Sequence, residues 1–392
     1  MADWLGRLVG GRSRVGAEHK SAAPQTLFQL APLGIGGSGK KGFAALANEG
    51  FAKNPIVYRC VRMVAENAAR VPLEVRDGDK VLSEHPLLAL LGRPNPRQDG
   101  KALLESVFSY LQLAGNAYLD AAIVEGQVRG LYGLRPDRMA VIAGKDGWPI
   151  GYAYTAGGRT HKLMLDTGPV GRVLHLTLFD PLDDHYGQAP LQAAQGSLET
   201  HNAATAWNRA LLENAARPSG ALVYQPGDGQ GLTADQFERL KAELASAFQG
   251  QGNAGRPMLL EGGLSWQSMA LSPADMDFAT LKAAAARDIA LAFGVPPMLL
   301  GLPGDNTYSN YREANRALWR LTLLPLADKI FGGLAAGMAP WFSDAQIAVD
   351  LDRVPALSED RERLWKQVSE ADFLADEERR AMLGLAPQED PK

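Results

Sequence analysis

The residues best suited to chemistry in this chain are its six histidines, at positions 19, 85, 161, 175, 185 and 201. No two of them have the H-x-x-x-H spacing that places two metal ligands on one helix face. The G-x-S-x-G motif of an exposed serine nucleophile is also absent. His175 lies in an apolar, strand-like run, so we expect a buried, hydrogen-bonded core residue there. The sequence therefore favours mechanical or structural work over catalysis, and predicts no catalytic residue.

A glycine-rich motif, G-I-G-G-S-G-K-K at Gly34–Lys41, is similar to a phosphate-binding loop. Lys41 stands where a serine or threonine should bind magnesium, and no apolar strand precedes the motif. The surrounding residues 1–42 are rich in Gly, Ser, Ala and Lys, which is typical of a flexible arm. The alternative is a nucleotide-dependent enzyme, which would bind nucleotide and lose that binding on Lys40→Ala.

A polar loop at Phe179–Gly187 has the side chains of a site for a hard cation, namely Asp180, Asp183, Asp184 and His185. The full EF-hand pattern is absent, so we interpret the segment as a solvated loop. We expect no resident metal and no cofactor in this protein.

Composition allows a large core and sets limits on partners. The chain has 392 residues, of which 46% are hydrophobic and 21% charged, and its net charge is −4. No large basic field indicates specific nucleic-acid binding. Cys60 is the only cysteine, which excludes a disulfide framework and a cysteine-based zinc site. Because no run of 18 apolar residues occurs, we expect no membrane span.

A helix, a loop and a second helix, over Ser272 to Trp341, are the elements around which the chain is organised. Ser272 is a good N-cap, and apolar residues then recur at helical spacing at Phe278, Leu281, Ala285, Ile289 and Ala292. The alanines between 283 and 286 make this helix slim enough to pack closely. The second helix is long, and Pro325 inside it predicts a kink.

The rest of the chain predicts an α+β protein. Short helices and β-strands alternate over residues 43–189, and the prolines at 94 and 96 predict an extended, turn-rich segment at His85–Pro96. A long helix at 190–216 is unusually polar, with Asn202, Thr205 and Asn208 at inner positions. A small αβ module at 217–271 is bracketed by this helix and the next one.

Seven stretches in a fixed order resemble the portal proteins of long-tailed bacteriophages (the HK-ninety-seven type) and of gene transfer agents. The resemblance covers about Asn54 to Trp341 and rests on N-P-I-V-Y-R-C-V at 54–61, H-P-L-L-A-L-L-G-R-P-N-P at 85–96, G-N-A-Y at 115–118, A-R-P-S-G-A-L at 216–222, G-N-A-G-R-P-M-L-L-E-G-G-L-S-W at 252–266, I-A-L-A-F-G-V-P-P-M-L-L-G at 289–301 and Y-S-N-Y-R-E-A at 308–314.

The resemblance implies a portal fold assembled as a ring of about twelve subunits around a tunnel. Its parts would be a flexible arm at 1–42, an α+β wing at 43–189, a stem helix at 190–216, a clip at 217–271, a second stem helix at 272–294, a tunnel loop at 295–308, a long kinked wing helix at 309–342, and a short crown-like region and tail at 343–392.

The resemblance also implies a function and partners. Double-stranded DNA would be packaged through the ring by the terminase large subunit and ejected by the same route. A head–tail adaptor and the major capsid protein would bind the ring, which would assemble in the bacterial cytoplasm and occupy one capsid vertex of the virion. The alternative within structural proteins is another head–tail connector or capsid component.

Three groups of site residues follow from the resemblance. The DNA-facing residues of the tunnel loop would be Leu302, Pro303, Asp305, Asn306, Thr307 and Tyr308. The cations near the tunnel or between subunits would be Arg209, Arg217, Lys282 and Arg287. The clip residues that contact the terminase or the adaptor would be Gln236, Arg239, Lys241, Glu243 and Arg256.

Overall fold

Helices and small antiparallel sheets form the α+β architecture that the sequence predicts. The computed structural model describes residues 42–78, 80–165, 172–213, 220–224, 233–248, 264–268, 278–302 and 308–385. The N-terminal arm, with its glycine-rich motif, lies outside the described residues. So do the predicted N-cap Ser272 and most of the predicted tunnel loop.

The α-helices within the described residues follow the predicted order. They are α1 Phe43–Ala47, α2 Pro55–Ala68, α3 Pro86–Gly92, α4 Gly100–Ala114, α5 Pro190–Ala193, α6 Gln195–Glu213, α7 Ala234–Phe248, α8 Phe278–Ala292, α9 Tyr308–Leu318, α10 Leu324–Met338, α11 Ser358–Ser369 and α12 Asp376–Leu383.

The β-strands are short and pair with antiparallel neighbours. They are β1 Leu73–Asp77, β2 Lys80–Val81, β3 Asn116–Val124, β4 Gln127–Leu134, β5 Met139–Ala143, β6 Pro149–Ala156, β7 Arg159–Met164, β8 Val173–Thr177, β9 Gly220–Tyr224, β10 Leu264–Ser268 and β11 Gln346–Val349. They form sheets in the orders β11-β1-β2, β4-β3-β8, β5-β6-β7 and β10-β9. Pairing of β1 with β11, in register from Leu73 opposite Val349, joins the start of the described chain to its C-terminal part.

The main core forms where α2 and α4 pack against α8 and α10. Helix α2 buries Val57, Val61 and Val64 completely, on the face that their spacing predicts. Helix α10 adds Ile330 and Phe331, which are 1% or less exposed. A second, smaller core of Tyr118, Met139, Tyr152 and Val173 lies between the sheets. Burial of these apolar side chains is the main source of stability.

The prediction of an extended segment at His85–Pro96 is wrong for the first half of that segment. Residues Pro86–Gly92 form α3, because the ring nitrogen Nδ1 of His85 accepts a hydrogen bond from the backbone N–H of Leu87 at 3.2 Å. His85 thus serves as the N-cap, and Pro86 takes the first helical position, where its missing N–H costs nothing. Only the residues from Arg93 onward leave the helix, as Pro94 requires.

The long helix is continuous from Tyr308 to Met338 but contains a π-helical turn at Trp319–Leu323. The backbone N–H of Leu324 donates to the carbonyl of Trp319, five residues earlier. A π-turn widens the helix just before Pro325, whose ring would otherwise clash with the carbonyl of Leu321. The irregularity predicted at the proline therefore takes the form of a π-turn that ends two residues before it.

The same helix is long and apolar enough to meet the length and composition of a membrane span. Its 30 residues, Ser309–Met338, include a window of mean hydropathy 1.3. One such helix is weak evidence, because the core helix of a soluble protein passes the same test. Buried residues at helical spacing, including Leu323, Ile330, Leu334 and Met338, place one face of it in the core. We interpret it as a core helix.

Candidate functional site

Helices α6 and α8 pack side by side and bracket the module of β9, α7 and β10 in the chain. The hydroxyl of Ser197 donates to Oδ2 of Asp288 at 3.3 Å, and the charge of Lys282 acts on His201 further along α6. Residue numbers thus rise along α6 as they fall along α8, so the two helices are antiparallel. The segment predicted as one helix from 190 is interrupted at Ala194, where α5 ends and α6 begins.

The face that α8 buries is made mostly of small residues. Ala285, Ala286 and Ala290 are 4% or less exposed, and Ile289 is fully buried. Ala204 on α6 is also buried, at 4% exposure. This confirms the slim, closely packed helix that the alanines predict. Leu281, predicted on the same inner face, is 44% exposed, because the buried face begins one turn later, at Ala285.

A buried polar junction ties α6 to the N-terminus of α2. The amide Nδ2 of Asn54 donates to Nδ1 of His201 at 3.0 Å and to Oδ1 of Asn202 at 2.8 Å. The amide of Asn202 in turn donates to the carbonyl of Glu49 at 3.1 Å. Oδ1 of Asn54 meanwhile caps α2 by accepting from the N–H groups of Ile56 and Val57.

The junction holds His201 in its neutral form. Burial lowers the pKa of His201, and the positive charge of Lys282 lowers it further. Since Nδ1 accepts from Asn54, the ring proton lies on Nε2. Asn54 before Pro55 has the local pattern of a helix cap, and Asn202 is predicted at an inner position of its helix. The sequence does not reveal their partnership, since 148 residues separate them.

Three of the four predicted cations lie within the described residues. Lys282 is half-buried beside the polar junction, whereas Arg209 and Arg287 are exposed on α6 and α8. Arg209 and Arg287 each take part in an interaction, so neither is free. Arg217 lies outside the described residues. Their role near a tunnel or between subunits stays a prediction.

The loop between α8 and α9 is described at its two ends. Pro297–Leu300 forms a short 3-10 helix, and Gly301 ends it with a left-handed backbone at φ 71°. Leu302 is half-buried, and the helix α9 begins at Tyr308. The predicted DNA-facing residues Pro303, Asp305, Asn306 and Thr307 lie outside the described residues, and so does the side chain of Tyr308. The 3-10 helix and α9, which flank this loop in the chain, contact each other.

The module between α6 and α8 pairs β9 with β10, from Tyr224 opposite Leu264 to Gly220 opposite Ser268. The backbone N–H of Thr233 donates to Oε1 of Gln236 at 3.0 Å, so Thr233 and Gln236 form a capping box at the start of α7. Arg239 and Lys241 are exposed, and Lys241 lies 3.8 Å from Glu238. Glu243 belongs to α7, but its side chain and Arg256 lie outside the described part. Contacts of these residues with other proteins stay predictions.

The histidine expected in the core, His175, lies among aromatic rings. Its ring stacks on Tyr118 with 4.2 Å between ring centroids, and Nε2 donates to Oδ1 of Asn116 at 3.0 Å. The hydroxyl of Tyr152 lies 3.4 Å from Nδ1. Burial, helped by the charge of His185, lowers the pKa of His175 to about 4. His175 is thus a neutral core residue, as predicted.

Lowering the pH should destabilise the fold through His175. Its pKa is about 4 in the folded protein and roughly 6.5 in the unfolded chain. The unfolded state therefore binds the proton first, and stability present above pH 6.5 falls as the pH approaches 4, by up to about 3 kcal/mol. Urea unfolding across this pH window should show a shallower decline for His175→Gln. The exposed His161, changed to Gln, is the control and should keep the parental slope.

Two carboxylates of the acidic loop after β8, those of Asp180 and Asp183, hold local turns. Oδ1 of Asp180 accepts from the N–H of Leu182 at 2.9 Å, and Oδ1 of Asp183 accepts from those of His185 and Tyr186 at 2.9 and 3.0 Å. Within the described residues no group of three or more His, Cys, Asp and Glu side chains could hold a metal ion.

Comparisons with known proteins connect this architecture to one family. The family described as phage portal protein matches residues 55–384. An uncharacterized protein of Rickettsia felis is 43% identical over 349 residues, covering 86% of this chain and 88% of the relative. The portal protein of Enterobacteria phage HK97 is 25% identical over 344 residues, covering 83% and 75%.

A solved structure supports the same assignment at the level of the fold. It is the neck of a native gene transfer agent (GTA) particle, computed with C12 symmetry. Its matching chain is 50% identical to this one, with a TM-score of 0.68, and the match covers 88% of this chain and 94% of the other. The extent of these matches, together with the antiparallel helix pair and the αβ module it brackets, shows that the chain belongs to the phage portal protein family.

Proposed function

We propose that this protein forms the portal ring at one vertex of a phage or gene-transfer-agent capsid, with double-stranded DNA passing through its centre. The observation that carries the proposal is the match at 50% identity to a neck protein computed with C12 symmetry. A ring of about twelve copies follows if this chain assembles as that relative does. The terminase, a head–tail adaptor and the major capsid protein would be its partners, and the virion its location.

The geometry of the helix pair supports a division into parts. The antiparallel α6 and α8 would be the stem, and the module of β9, α7 and β10 at their far end would be the clip. Residues 43–189 with the long helix would form the wing. The polar junction of Asn54, His201 and Asn202 would then fix the stem to the wing.

The loop at 295–308 would line the DNA path. It contains no lysine or arginine, so it would contact DNA through shape and polar groups instead of gripping phosphates. Weak attraction suits a channel through which DNA must slide, because each tight phosphate contact would resist movement.

Electron microscopy of the purified protein, combined with native mass measurement, tests the ring. We expect closed rings with a central opening wide enough for a DNA duplex. A compact dimer with a closed cleft would contradict the proposal and would return attention to the nucleotide hypothesis for Gly34–Lys41.

Filling the alanine face of α8 should damage the stem. Ala285 is 4% exposed, and phenylalanine there would overpack the interface with α6, at an expected cost of about 1–3 kcal/mol. Fewer and less homogeneous rings should be visible by electron microscopy. Ala284→Phe is the matched control, because Ala284 is exposed on the same turn. Equal ring yields from the two variants would argue against close packing at Ala285.

A further inference from the structure

The loop from Leu178 to Gly187 is a closed, built feature. Its two ends meet at the same place, since the N–H of Leu178 donates to the carbonyl of Gly115 at 2.9 Å and the N–H of Gly187 donates to Oδ1 of Asn116 at 2.9 Å. The Asn116 amide donates back to the Gly187 carbonyl at 3.2 Å. A ten-residue loop with adjoining ends is an Ω-loop, a type that is frequently functional.

The inside of the loop is fixed by hydrogen bonds of its own. The turns at Asp180 and Asp183 hold its backbone, and the hydroxyl of Tyr186 accepts from the N–H of Val141 on β5 at 2.9 Å. Although its backbone is fixed, the loop exposes two large apolar side chains to solvent. Phe179 is 78% exposed and Leu182 is 88% exposed. A rigid loop that presents apolar side chains is suited to insertion into a partner's pocket.

A pocket suited to receive these side chains lies near the N-terminal end of α4, whereas the loop is held near its C-terminal end. The pocket has a volume of about 430 Å³ and lies among the end of α2, α3 and the start of α4, with Leu73, Leu88, Leu91 and Leu104 in its wall. Pockets of this size accept a large apolar group. Its rim carries the exposed cations Arg70, Lys101 and Arg353.

The charges of the loop and the pocket are opposite. Phe179 and Leu182 are flanked by the carboxylates of Asp180, Asp183 and Asp184. The pocket rim carries three cations and the carboxylate of Asp99, and one of the cations, Arg353, lies 4.0 Å from Asp350. Opposite potentials on two apolar surfaces favour one orientation and suppress others.

The positions of the two surfaces suit a ring. Gly115, whose carbonyl holds the start of the loop, directly follows the last residue of α4. The pocket lies at the opposite end of this helix and includes its first residue, Gly100. Since α4 has 15 residues, its ends lie roughly 22 Å apart at 1.5 Å per residue. The loop of one subunit is therefore too far to fill its own pocket. Two separate complementary patches on each copy are what a head-to-tail contact requires, and such contacts form a ring when the rotation between neighbouring copies closes.

We infer that the Ω-loop Leu178–Gly187 inserts Phe179 and Leu182 into the pocket between α2, α3 and α4 of the neighbouring copy of this chain. The inference rests on the proposed ring and names a contact that holds its subunits together. The aspartates of the loop face the cations of the neighbour's rim.

Disulfide cross-linking tests the contact in the assembled full-length protein. The native Cys60 is buried, and burial raises its pKa to about 12, so engineered cysteines react alone. We expect Leu182→Cys combined with Lys101→Cys to give, on oxidation, a ladder of covalent multimers up to the full ring. An equal mixture of the two single variants should stop at dimers, because each chain then has one reactive partner.

A second pocket provides the control. Met382 is 54% exposed and lies in the wall of a separate pocket near β1 and α12, so Leu182→Cys with Met382→Cys should give no ladder. Intact rings without a ladder from the Lys101 pair would overturn the inference and leave the ring standing. Wild-type protein that forms no ring under any assembly condition would overturn the ring and the inference together.

Charge reversal gives an independent measurement. Asp184 is exposed and caps no turn, so Asp184→Lys should reduce ring yield at least several-fold without loss of the fold. Adding Lys101→Glu should restore most of the yield. An Asp184→Lys variant that assembles as well as the parent, or one that Lys101→Glu does not rescue, would count against the predicted pairing of charges.

Discussion

Replacing Gly187 by alanine is expected to lower the free energy of unfolding by about 3 kcal/mol or more, the upper end for overpacked sites. A Cβ atom at this position would lie 2.3 Å from the carbonyl oxygen of Gly115 and 2.5 Å from that of Leu178. Both are backbone atoms, and their residues are joined by a hydrogen bond that the Leu178 N–H donates to the Gly115 carbonyl. Neither can move without opening the Ω-loop, so relief of the clash costs hydrogen bonds.

Urea unfolding at a fixed protein concentration measures the effect. Gly196→Ala is the control, since a Cβ on this residue of α6 meets no atom within 4 Å and alanine favours the helix. We expect that control to gain about 0.5–1 kcal/mol. If Gly187→Ala unfolds at the parental urea concentration, the ends of the loop are not as tightly joined as the structure indicates.

Measuring both stability and ring assembly distinguishes the loop's role in the fold from its proposed role between subunits. The Gly187→Ala variant should also lose rings, because Phe179 and Leu182 would no longer be held in place. Leu182→Asp should lose rings while the unfolding free energy stays near that of the parent, because the side chain is 88% exposed. Trp148→Asp, at a similarly exposed tryptophan in a different turn, should retain both stability and rings.

Local signals in the sequence predicted most of the helices and strands. Asn54 before Pro55, and the spacing of Val57, Val61 and Val64, are sufficient local signals for α2, because caps and apolar faces act over a few residues. Local signals failed at α3, because His85 is an uncommon cap and the prolines beyond the helix suggested an extended chain. At Pro325 the residue that disturbs the helix was found, but the π-turn that accommodates it depends on the core around Trp319 and Leu323.

Contacts over long sequence distances were not predictable from one sequence. The stretch G-N-A-Y at 115–118 contributed to the family resemblance, but its physical basis appeared only in the structure. Gly115 and Asn116 hold both ends of the Ω-loop, while Tyr118 stacks on His175. The predicted solvated loop at Phe179–Gly187 is accordingly a fixed element with an exposed apolar tip. Its polar residues indicated a loop, but nothing local indicated that the ends meet.

Deleting residues 302–307 is expected to leave ring assembly intact and to reduce DNA packaging or retention at least tenfold. The segment connects the 3-10 helix Pro297–Leu300 to α9, and these two flanks contact each other. The deletion joins Gly301 directly to Tyr308, and because the two flanking elements already contact each other we expect this junction to need only local adjustment. The residues removed include Leu302, Asp305 and Thr307, which the portal resemblance assigns to the DNA path. Native mass and electron microscopy report on the ring, and nuclease-protected DNA in particles reports on packaging.

A variant with 302–307 replaced by a Gly-Ser segment of equal length separates the presence of the loop from its chemistry. If the loop acts by filling the channel, the replacement should recover part of the nuclease-protected DNA. If it acts through polar contacts of Asp305, Asn306 and Thr307, the replacement should package as little DNA as the deletion. Intact rings that package and retain DNA normally after the deletion would show that these residues do not serve the DNA path. Loss of the rings themselves would assign the segment to assembly, because a loop that only faces the channel has no part in joining neighbouring subunits.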